Sequence, residues 1–479
     1  MISFFRKRRS FLFILLAFAL LSRLFLSCSS GSDHQLIINK KISDLDQIKR
    51  KGKLVVISDY NSTAYFFYRG TPMGFNYEIL RAFSDYLGVG LSISITNSYE
   101  NSFKDLAKDS CDIVALDLPV TQERSTKFFA TTPLIHAAPV LVQRRPSAIE
   151  RKNSKAELVL NPAGLAGKHV YLSAGSPFAK QLFMHSIESG DTISIVENPE
   201  LHTDQLISAV ANKKIDYTVA YETSAHVNQM YYPSLDVNTK LGPEQNLVWA
   251  VAKNKPVLFA LFNKWLINYK KTRHYEDIYE KYFKNRRTIQ IVGSELYSVG
   301  NNKISVYDND IKKYSKHMHW DWRLFASLIY HESNFHPQAK AWSGAYGLLQ
   351  LMPWVMEEYG LDSISSPSQQ IAAGARYIES IDKQFRSLVK DPVERQKFVL
   401  AAYNVGLAHV FDARRLAKKY GKKDDIWTNQ VDSFILRKSE PRYYRDRLAF
   451  YGYCRGEEPF NFVMDVLEMY NLYKNVIKN

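Results

Sequence analysis

Residues 330–335 read Tyr-His-Glu-Ser-Asn-Phe, and residues 344–353 read Gly-Ala-Tyr-Gly-Leu-Leu-Gln-Leu-Met-Pro. The first stretch ends an apolar pattern in which Leu324, Leu328 and Glu332 recur every four residues. This spacing predicts a helix that carries all three side chains on one face. The sequence therefore places a carboxyl group in an apolar stripe, next to a segment that is bracketed by glycine and ends in proline.

The helix also has start and stop signals. Asp321 is the expected N-cap, and Pro337 lies just beyond the expected end. A carboxyl group in such a stripe loses solvation, so the pKa of Glu332 should be raised, as a general acid at neutral pH requires. The alternative is an ordinary glutamate that reaches solvent from the end of the helix.

Three segments resemble, in order and spacing, the signature of the soluble-lytic-transglycosylase catalytic domain. They are residues 332–335, residues 347–353, and residues 402–406, which read Ala-Tyr-Asn-Val-Gly. The resemblance implies a mainly α, lysozyme-like domain that cuts the β-1,4 bond between N-acetylmuramic acid and N-acetylglucosamine in peptidoglycan. It implies that Glu332 is the single acid and base, and that the product carries a 1,6-anhydro ring. A hydrolytic muramidase is one alternative, and a non-catalytic envelope sensor or binding protein is another.

The resemblance also implies a set of substrate-binding residues. Residues 440–444 resemble the family's late Glu-Thr-x-x-Tyr-Val segment, with proline in place of threonine, and Glu440 is a candidate second carboxylate. Met352 and Tyr403 have core packing as their alternative. The expected substrate-binding residues are Ser333, Gln350, Met352, Tyr403, Asn404, Glu440 and Tyr444.

A zinc helix is excluded by spacing. His331 and His336 are five residues apart, whereas a His-Glu-x-x-His site needs histidines four apart on one helical face, and Pro337 follows directly. We therefore expect no metal and no organic cofactor.

The charge balance fits an anionic partner. The formal net charge is +15, and five of the positive residues precede Cys28, which leaves about +10 for a chain that begins there. Such a charge suits an anionic polymer or a membrane surface. No motif indicates nucleic acid. The basic residues between 414 and 423 have a solvated helix face as their simplest interpretation.

The N-terminus resembles an export signal. Residues 6–9 are basic, residues 11–21 are apolar, and residues 25–28 read Phe-Leu-Ser-Cys, similar to a lipobox with Cys28 as the lipidated residue. Ser29 then favours the periplasmic face of the outer membrane of a Gram-negative cell. An uncleaved N-terminal anchor is the alternative. Cys111 and Cys454 are expected to be buried free thiols.

The middle of the chain alternates short β-rich runs with helical ones, which predicts an α/β domain. Residues 74–78, 111–115, 121–124 and 174–176 resemble those of the family 3 extracellular solute-binding proteins, which are two-lobed clamps. The expected fold is a multidomain chain with an α/β two-lobed periplasmic-binding-protein-like domain followed by the mainly α domain. The expected segments are a signal peptide 1–27, a lipidated tether 28–50, a binding domain 51–290 (lobes 51–137 plus 241–290, and 138–240), a linker 291–303, a catalytic domain 304–455 and a helical tail 456–479.

The clamp resemblance implies ligand-binding residues for a regulatory amino acid or muropeptide. Arg124 would grip a carboxylate with Thr121 and Ser176 beside it, because arginine binds carboxylates at two points. Tyr221 stands where the family has its ammonium-binding aspartate, and Glu222 is the expected substitute. A surface ion pair is the alternative for Arg124.

Overall fold

The two lobes of the α/β domain are each built on one sheet. The computed structural model describes residues 43–96, 98–146, 157–190, 192–285, 291, 294–299 and 301–478. The signal segment, Cys28 and most of the expected tether lie outside these residues. Residues 44–479 cluster as a single unit. None of the helices in the described part of the chain is both long and apolar enough to cross a membrane.

The first lobe has a mixed sheet in the order β4-β1-β5-β13-β6, with β7 also paired to β13. Its parallel strands β1 and β5 are buried along most of their length, as strands covered on both faces are, whereas the edge strand β4 alternates buried and less buried residues. Its elements are α1 (Asp44–Lys51), β1 (Lys53–Ser58), β2 (Phe66–Tyr68), β3 (Thr71–Met73), α2 (Phe75–Leu87), β4 (Gly90–Ile95), α3 (Tyr99–Ala107), β5 (Ile113–Pro119), α4 (Gln122–Lys127), β6 (Phe128–Ala130), β7 (Ile135–Ala137), β13 (Gln245–Ala252), α8 (Pro256–Tyr269) and α9 (Arg273–Phe283).

The second lobe has a five-stranded sheet in the order β10-β9-β11-β8-β12. The chain enters it directly after β7 and leaves it before β13, so two crossings join the lobes. Its elements are β8 (Pro139–Arg144), β9 (His169–Ser173), α5 (Phe178–Ser189), β10 (Ser194–Asn198), α6 (Thr203–Ala211), β11 (Tyr217–Tyr221), α7 (Glu222–Tyr231) and β12 (Leu235–Asp236).

The remainder of the chain is helical, and the predicted fold class is confirmed. The helices are α10 (Asp308–Met318), α11 (Trp322–Ser333), α12 (Pro353–Glu358), α13 (Pro367–Phe385), α14 (Pro392–Val405), α15 (Leu407–Lys419), α16 (Asp432–Arg437), α17 (Pro441–Tyr444) and α18 (Glu457–Val476). Cys111 and Cys454 are buried free thiols, as predicted.

The end of the expected tether is ordered. Helix α1 buries Ile48 to 1% exposure. Its Asp44 carboxylate accepts hydrogen bonds from the backbone N–H groups of Val257 (3.0 Å) and Leu258 (3.1 Å) at the start of α8. A carboxylate at this position satisfies helix-start donors that have no intrahelical partner. The polar composition of the expected tether, residues 28–50, did not indicate that its end packs against α8.

Helix α18, expected as a tail, is a central element of the fold. It packs against α11 and α14 of the helical domain and against β4 of the first lobe. Tyr473 donates to Gly70 O at 2.7 Å, and Asn475 Nδ2 donates to Ile93 O at 2.6 Å. Gly456 precedes the helix at a point where a Cβ would lie 1.9 Å from Ile435 O. The two domains therefore share α18 as part of their packing.

Candidate functional site

The helix that carries Glu332 forms as the sequence predicts. Asp321 caps α11 by accepting from Arg323 N at 2.9 Å, and Asn334 ends it in a left-handed conformation at φ 49°. Leu324 and Leu328 are fully buried. Glu332 lies in the last turn of this helix, at the end of its apolar face. The helix is fixed at both ends, at Asp321 and at Asn334.

Glu332 lies in a poorly solvated position. Burial raises the pKa of its carboxyl group to about 8. Within the described part of the chain no ion pair and no hydrogen bond offsets this loss of solvation. The carboxyl group is therefore protonated at neutral pH, which is the form that a general acid needs.

The loop of residues 336–352, which we call the cleft loop, is tied to the end of α11. The Ser333 hydroxyl donates to Leu348 O at 2.8 Å, with Ile329 O as a second acceptor at 3.2 Å. Gln350 Nε2 donates to Ala339 O (3.0 Å) and Gly347 O (2.9 Å). The Ser333 hydroxyl and the Gln350 NH2 group thus hold the cleft loop, and their expected contacts with substrate stay a prediction.

Gln370 on α13 is a positioning residue that the sequence did not reveal. Its Oε1 accepts from Leu348 N at 2.8 Å, and its Nε2 donates to Pro337 O (3.1 Å) and Ser365 O (3.0 Å). A Cβ on Gly347 would lie 2.4 Å from Gln370 Oε1, and Gly347 has φ +82°. Glycine is therefore required at that point, because it allows both the backbone conformation and the close approach.

Tyr403 on α14 is brought to the same place. Its hydroxyl donates to Leu349 O of the cleft loop. Burial raises the pKa of Tyr403 well above its ordinary value, and the negative charge of Glu332 raises it further. The two side chains are thus close enough to interact electrostatically, so the fold brings the first and third motif segments together.

The other expected substrate-binding residues differ in exposure. Met352 is 38% exposed at the start of α12, so it is not a core residue. Asn404 is exposed beside Tyr403, and Glu440 is exposed at the start of α17. The Tyr444 ring packs edge-on against Tyr453, with ring centres 5.7 Å apart.

The histidines near Glu332 are not arranged for metal binding. Helix α11 ends at Ser333, and His336 lies beyond it with Nδ1 3.0 Å from Ser333 O. The described residues contain no group of three or more His, Cys, Asp or Glu side chains that could hold a metal ion.

The lobes of the α/β domain enclose a cavity of about 550 Å³. The first lobe contributes Thr121 and Gln245, and the second lobe contributes Lys180 and Tyr221. The Tyr221 hydroxyl donates to Gln245 Oε1 at 3.3 Å, so a hydrogen bond joins the lobes across the cavity. Among the described residues that line the cavity, Lys180 is the only charged one.

Of the four expected clamp residues, Thr121 is among the residues that line this cavity, and Arg124 lies close enough to the cavity residue Tyr221 for its charge to act on that hydroxyl against the effect of burial. Arg124 Nη1 donates to Pro119 O at 3.3 Å, and its guanidinium lies over the Phe103 ring at 5.5 Å. Ser176 is buried. Glu222 accepts from Ala138 N at 3.1 Å and lies 3.5 Å from Lys240 Nζ, close to the crossings between the lobes. Thr121 lines the cavity and also caps α4 by accepting from Arg124 N at 3.2 Å.

Known protein families match both parts of the chain. Residues 309–426 match the Transglycosylase SLT domain, and residues 54–285 match the Bacterial extracellular solute-binding proteins, family 3. Each match lies within the segment in which the corresponding fold is found.

Curated relatives match nearly the whole chain, and each is named Membrane-bound lytic murein transglycosylase F. The Desulfosudis oleivorans protein is 29% identical, over 91% of this chain and 93% of its own length. The Pseudomonas putida protein is 30% identical, over 90% of this chain and 87% of its own. The Photobacterium profundum protein is 28% identical, over 93% of this chain and 84% of its own. With both domains matched in this order and at this coverage, the chain belongs to the membrane-bound lytic murein transglycosylase F family.

Proposed function

We infer that this chain is a peptidoglycan lytic transglycosylase, a lyase that cleaves the β-1,4 bond between N-acetylmuramic acid and N-acetylglucosamine. The observation that carries this function is Glu332, a protonated and poorly solvated carboxyl group held beside Tyr403 and the cleft loop. The match of residues 309–426 to the transglycosylase domain and the relatives' names support it.

The mechanism that we propose uses Glu332 twice. The protonated carboxyl group gives its proton to the glycosidic oxygen, and the bond from that oxygen to muramoyl C1 breaks. The resulting carboxylate takes the proton of the muramoyl 6-hydroxyl, whose oxygen forms the new bond to C1. The 1,6-anhydro ring closes without water, and Glu332 ends protonated again. Tyr403 and Met352 line the substrate side of this step in our proposal, and Asn404 lies beside them.

The products of digestion test this reaction. Peptidoglycan digested by the protein should yield muropeptides with 1,6-anhydromuramic ends, measured by mass spectrometry. Hydrolysis gives the same fragments heavier by one water. Finding only the heavier fragments would assign the chain to the muramidases, with Glu440 as the candidate second carboxylate. Finding no fragments at all would favour a non-catalytic binding protein.

We propose that a ligand of the interlobe cavity regulates cleavage. A free amino acid is a poor fit, because Tyr221 and Gln245 occupy the side where an aspartate would hold the ammonium group. The cavity offers Lys180 together with amide side chains such as Asn246. These groups suit a ligand that has a carboxylate and peptide bonds. A peptide stem released from the cell wall has this chemistry.

Two connections support such regulation. The linker residue Tyr297 donates to Asp204 in the second lobe at 3.2 Å, and the adjacent Ser298 accepts from Phe67 N in the first lobe at 2.8 Å. The linker therefore touches both lobes. Helix α18 touches the first lobe and α11, the helix of Glu332. A change in lobe closure thus has two physical routes to the catalytic domain.

Calorimetry with the Glu332→Gln protein tests the ligand. A stem tetrapeptide should bind, and Lys180→Ala should weaken binding by about tenfold, the effect of one charge-assisted hydrogen bond. Lys264→Ala, at an exposed position on α8, is the matched control and should leave the affinity unchanged. If neither the tetrapeptide nor free amino acids give a binding signal, the proposed ligand is wrong and the α/β domain would serve only to position the catalytic domain.

We also propose that Cys28 anchors the chain by a lipid to the periplasmic face of the outer membrane. The lipobox-like residues 25–28 support this, and the relatives are named as membrane-bound. Mass measurement of the mature N-terminus tests the proposal, since an unprocessed Met1 would indicate an uncleaved anchor instead.

A further inference from the structure

The segment of residues 449–453, which we call the aromatic loop, reads Ala-Phe-Tyr-Gly-Tyr. Three of its side chains are largely exposed: Phe450 at 67%, Tyr451 at 60% and Tyr453 at 55%. Single exposed apolar residues are common on protein surfaces, but a contiguous group of them marks an interaction site.

The aromatic loop is held by buried charges. The Asp412 carboxylate accepts from the backbone N–H groups of Phe450 and Tyr451, both at 2.9 Å. Lys438 Nζ donates to the same carboxylate, and neither Asp412 nor Lys438 has any exposed side-chain surface. The Lys438 ammonium also lies 3.0 Å from His409 Nδ1. Arg415 adds a fourth donor to Asp412 and lies over the Phe450 ring at 4.2 Å.

This support fixes the loop before any partner arrives. Burying the Asp412–Lys438 ion pair costs desolvation energy. The pair positions a loop whose rings are exposed and which adds little to the hydrophobic core. A surface that is already ordered loses less conformational entropy when it binds. The arrangement thus favours binding by the exposed rings.

The aromatic loop contacts the late motif segment of residues 440–444. Tyr453 contacts Tyr444 edge-on, and Tyr444 occupies the position of a tyrosine in the late motif segment. The surroundings are basic: apart from the buried Lys438, residues 437–455 contain five exposed arginines (Arg437, Arg442, Arg445, Arg447 and Arg455) and two acidic residues (Glu440 and Asp446). Arg445 lies over the Tyr444 ring at 5.6 Å.

Peptidoglycan has the matching chemistry. Its sugar rings present apolar faces that stack on aromatic side chains, and its peptide stems end in carboxylates that pair with arginine. We propose that the aromatic loop and its neighbouring arginines form an additional binding surface for the peptidoglycan strand, outside the bond-cleaving cleft. This inference rests on peptidoglycan being the substrate. The surface holds the strand while the cleft acts on one bond.

Binding to intact sacculi tests the inference without interference from cleavage. In the Glu332→Gln protein, Phe450→Ala with Tyr451→Ala should weaken sacculus binding by at least about tenfold, since burying even one of the two rings contributes about that factor. Both side chains are exposed, so the folded structure should persist; thermal unfolding checks this. Phe183→Ala on α5, at a position with 58% exposure, is the matched control. Equal binding by the double variant and the control would overturn the inference.

A comparison of substrates separates this surface from the cleft. In the active protein, the double variant should lower the ratio of kcat/KM on long glycan strands to kcat/KM on a tetrasaccharide by about tenfold. An equal loss on both substrates would mean that the loop shapes the cleft, and would also overturn the inference. The proposed function is judged separately: it falls only if the unsubstituted protein releases no cleaved fragments from peptidoglycan.

Discussion

Replacement of Glu332 by glutamine should lower kcat on peptidoglycan by about 10²–10⁴-fold, the range typical for loss of a general acid or base. Glutamine keeps the shape of the side chain but cannot give a proton to the glycosidic oxygen. Release of anhydromuropeptides, measured by chromatography, gives the rate. Glu357→Gln, at an exposed position on α12, is the matched control and should keep full activity. Near-normal cleavage by Glu332→Gln would show that another residue supplies the proton.

The raised pKa of Glu332 also predicts a dependence on pH. Activity that needs the protonated carboxyl group should fall as pH rises through about 8. For stability the folded pKa lies above the ordinary value of 4.5, so the folded state binds the proton more tightly than the unfolded state. The stabilisation is complete below pH 4.5 and is lost as pH approaches 8. Relative to the unsubstituted protein, Glu332→Gln should therefore gain stability between pH 5 and pH 9, as measured by urea unfolding. A constant difference would contradict burial as the cause of the raised pKa.

Removal of the Asp412 carboxylate should destabilise the catalytic domain strongly. Asp412→Ala leaves Lys438 as an unpaired buried charge and removes the acceptor of Phe450 N and Tyr451 N. Breaking a buried pair in this way costs about 3–5 kcal/mol of unfolding free energy. Denaturant unfolding followed by circular dichroism measures the loss.

Two further variants isolate the buried pair. Asp424→Ala removes a carboxylate that is 38% exposed and pairs with Arg414; because Arg414 keeps the backbone Asp424 O as an acceptor at 2.7 Å, the cost should be smaller than that of Asp412→Ala. Asp412→Leu combined with Lys438→Met removes both buried charges, and the double variant should be more stable than Asp412→Ala. If Asp412→Ala proves no more damaging than Asp424→Ala, the pair has little role in stability.

The fold class was accessible from sequence because it depends on local signals. The period of Leu324, Leu328 and Glu332, with Asp321 as a cap, identifies α11 without knowledge of its surroundings. The alternation of strands and helices likewise identifies the two lobes. The raised pKa of Glu332 follows from the same apolar stripe.

The contacts by which Gln370, Asp412 and Lys438 hold loops in place could not be predicted from the local sequence. Gln370 reaches the cleft loop from a helix that begins fifteen residues beyond the end of that loop, and nothing in its local sequence specifies that contact. Asp412 and Lys438 are charged residues on helices, so their sequence pattern resembles that of a solvated surface. The placement of Ser333 shows the same limit, because a hydroxyl in a catalytic motif can serve a backbone carbonyl as well as a substrate.

The clamp residues were harder to place for a related reason. The segment of residues 121–124 resembles its family, but the direction of the Arg124 side chain depends on Phe103 and Pro119, which are contributed by neighbouring elements. Resemblance gives the residue type at a position. The packing around that position decides where the charge lies.

The position of α18 has a consequence for the order in which the protein folds as it is synthesised. A chain made from its N-terminus presents α18 after the first lobe and after the Glu332 helix, and α18 packs against both. The packing around the Glu332 helix is therefore incomplete until α18 has been made. A chain that stops before α18 should lack the support that holds Glu332 in place.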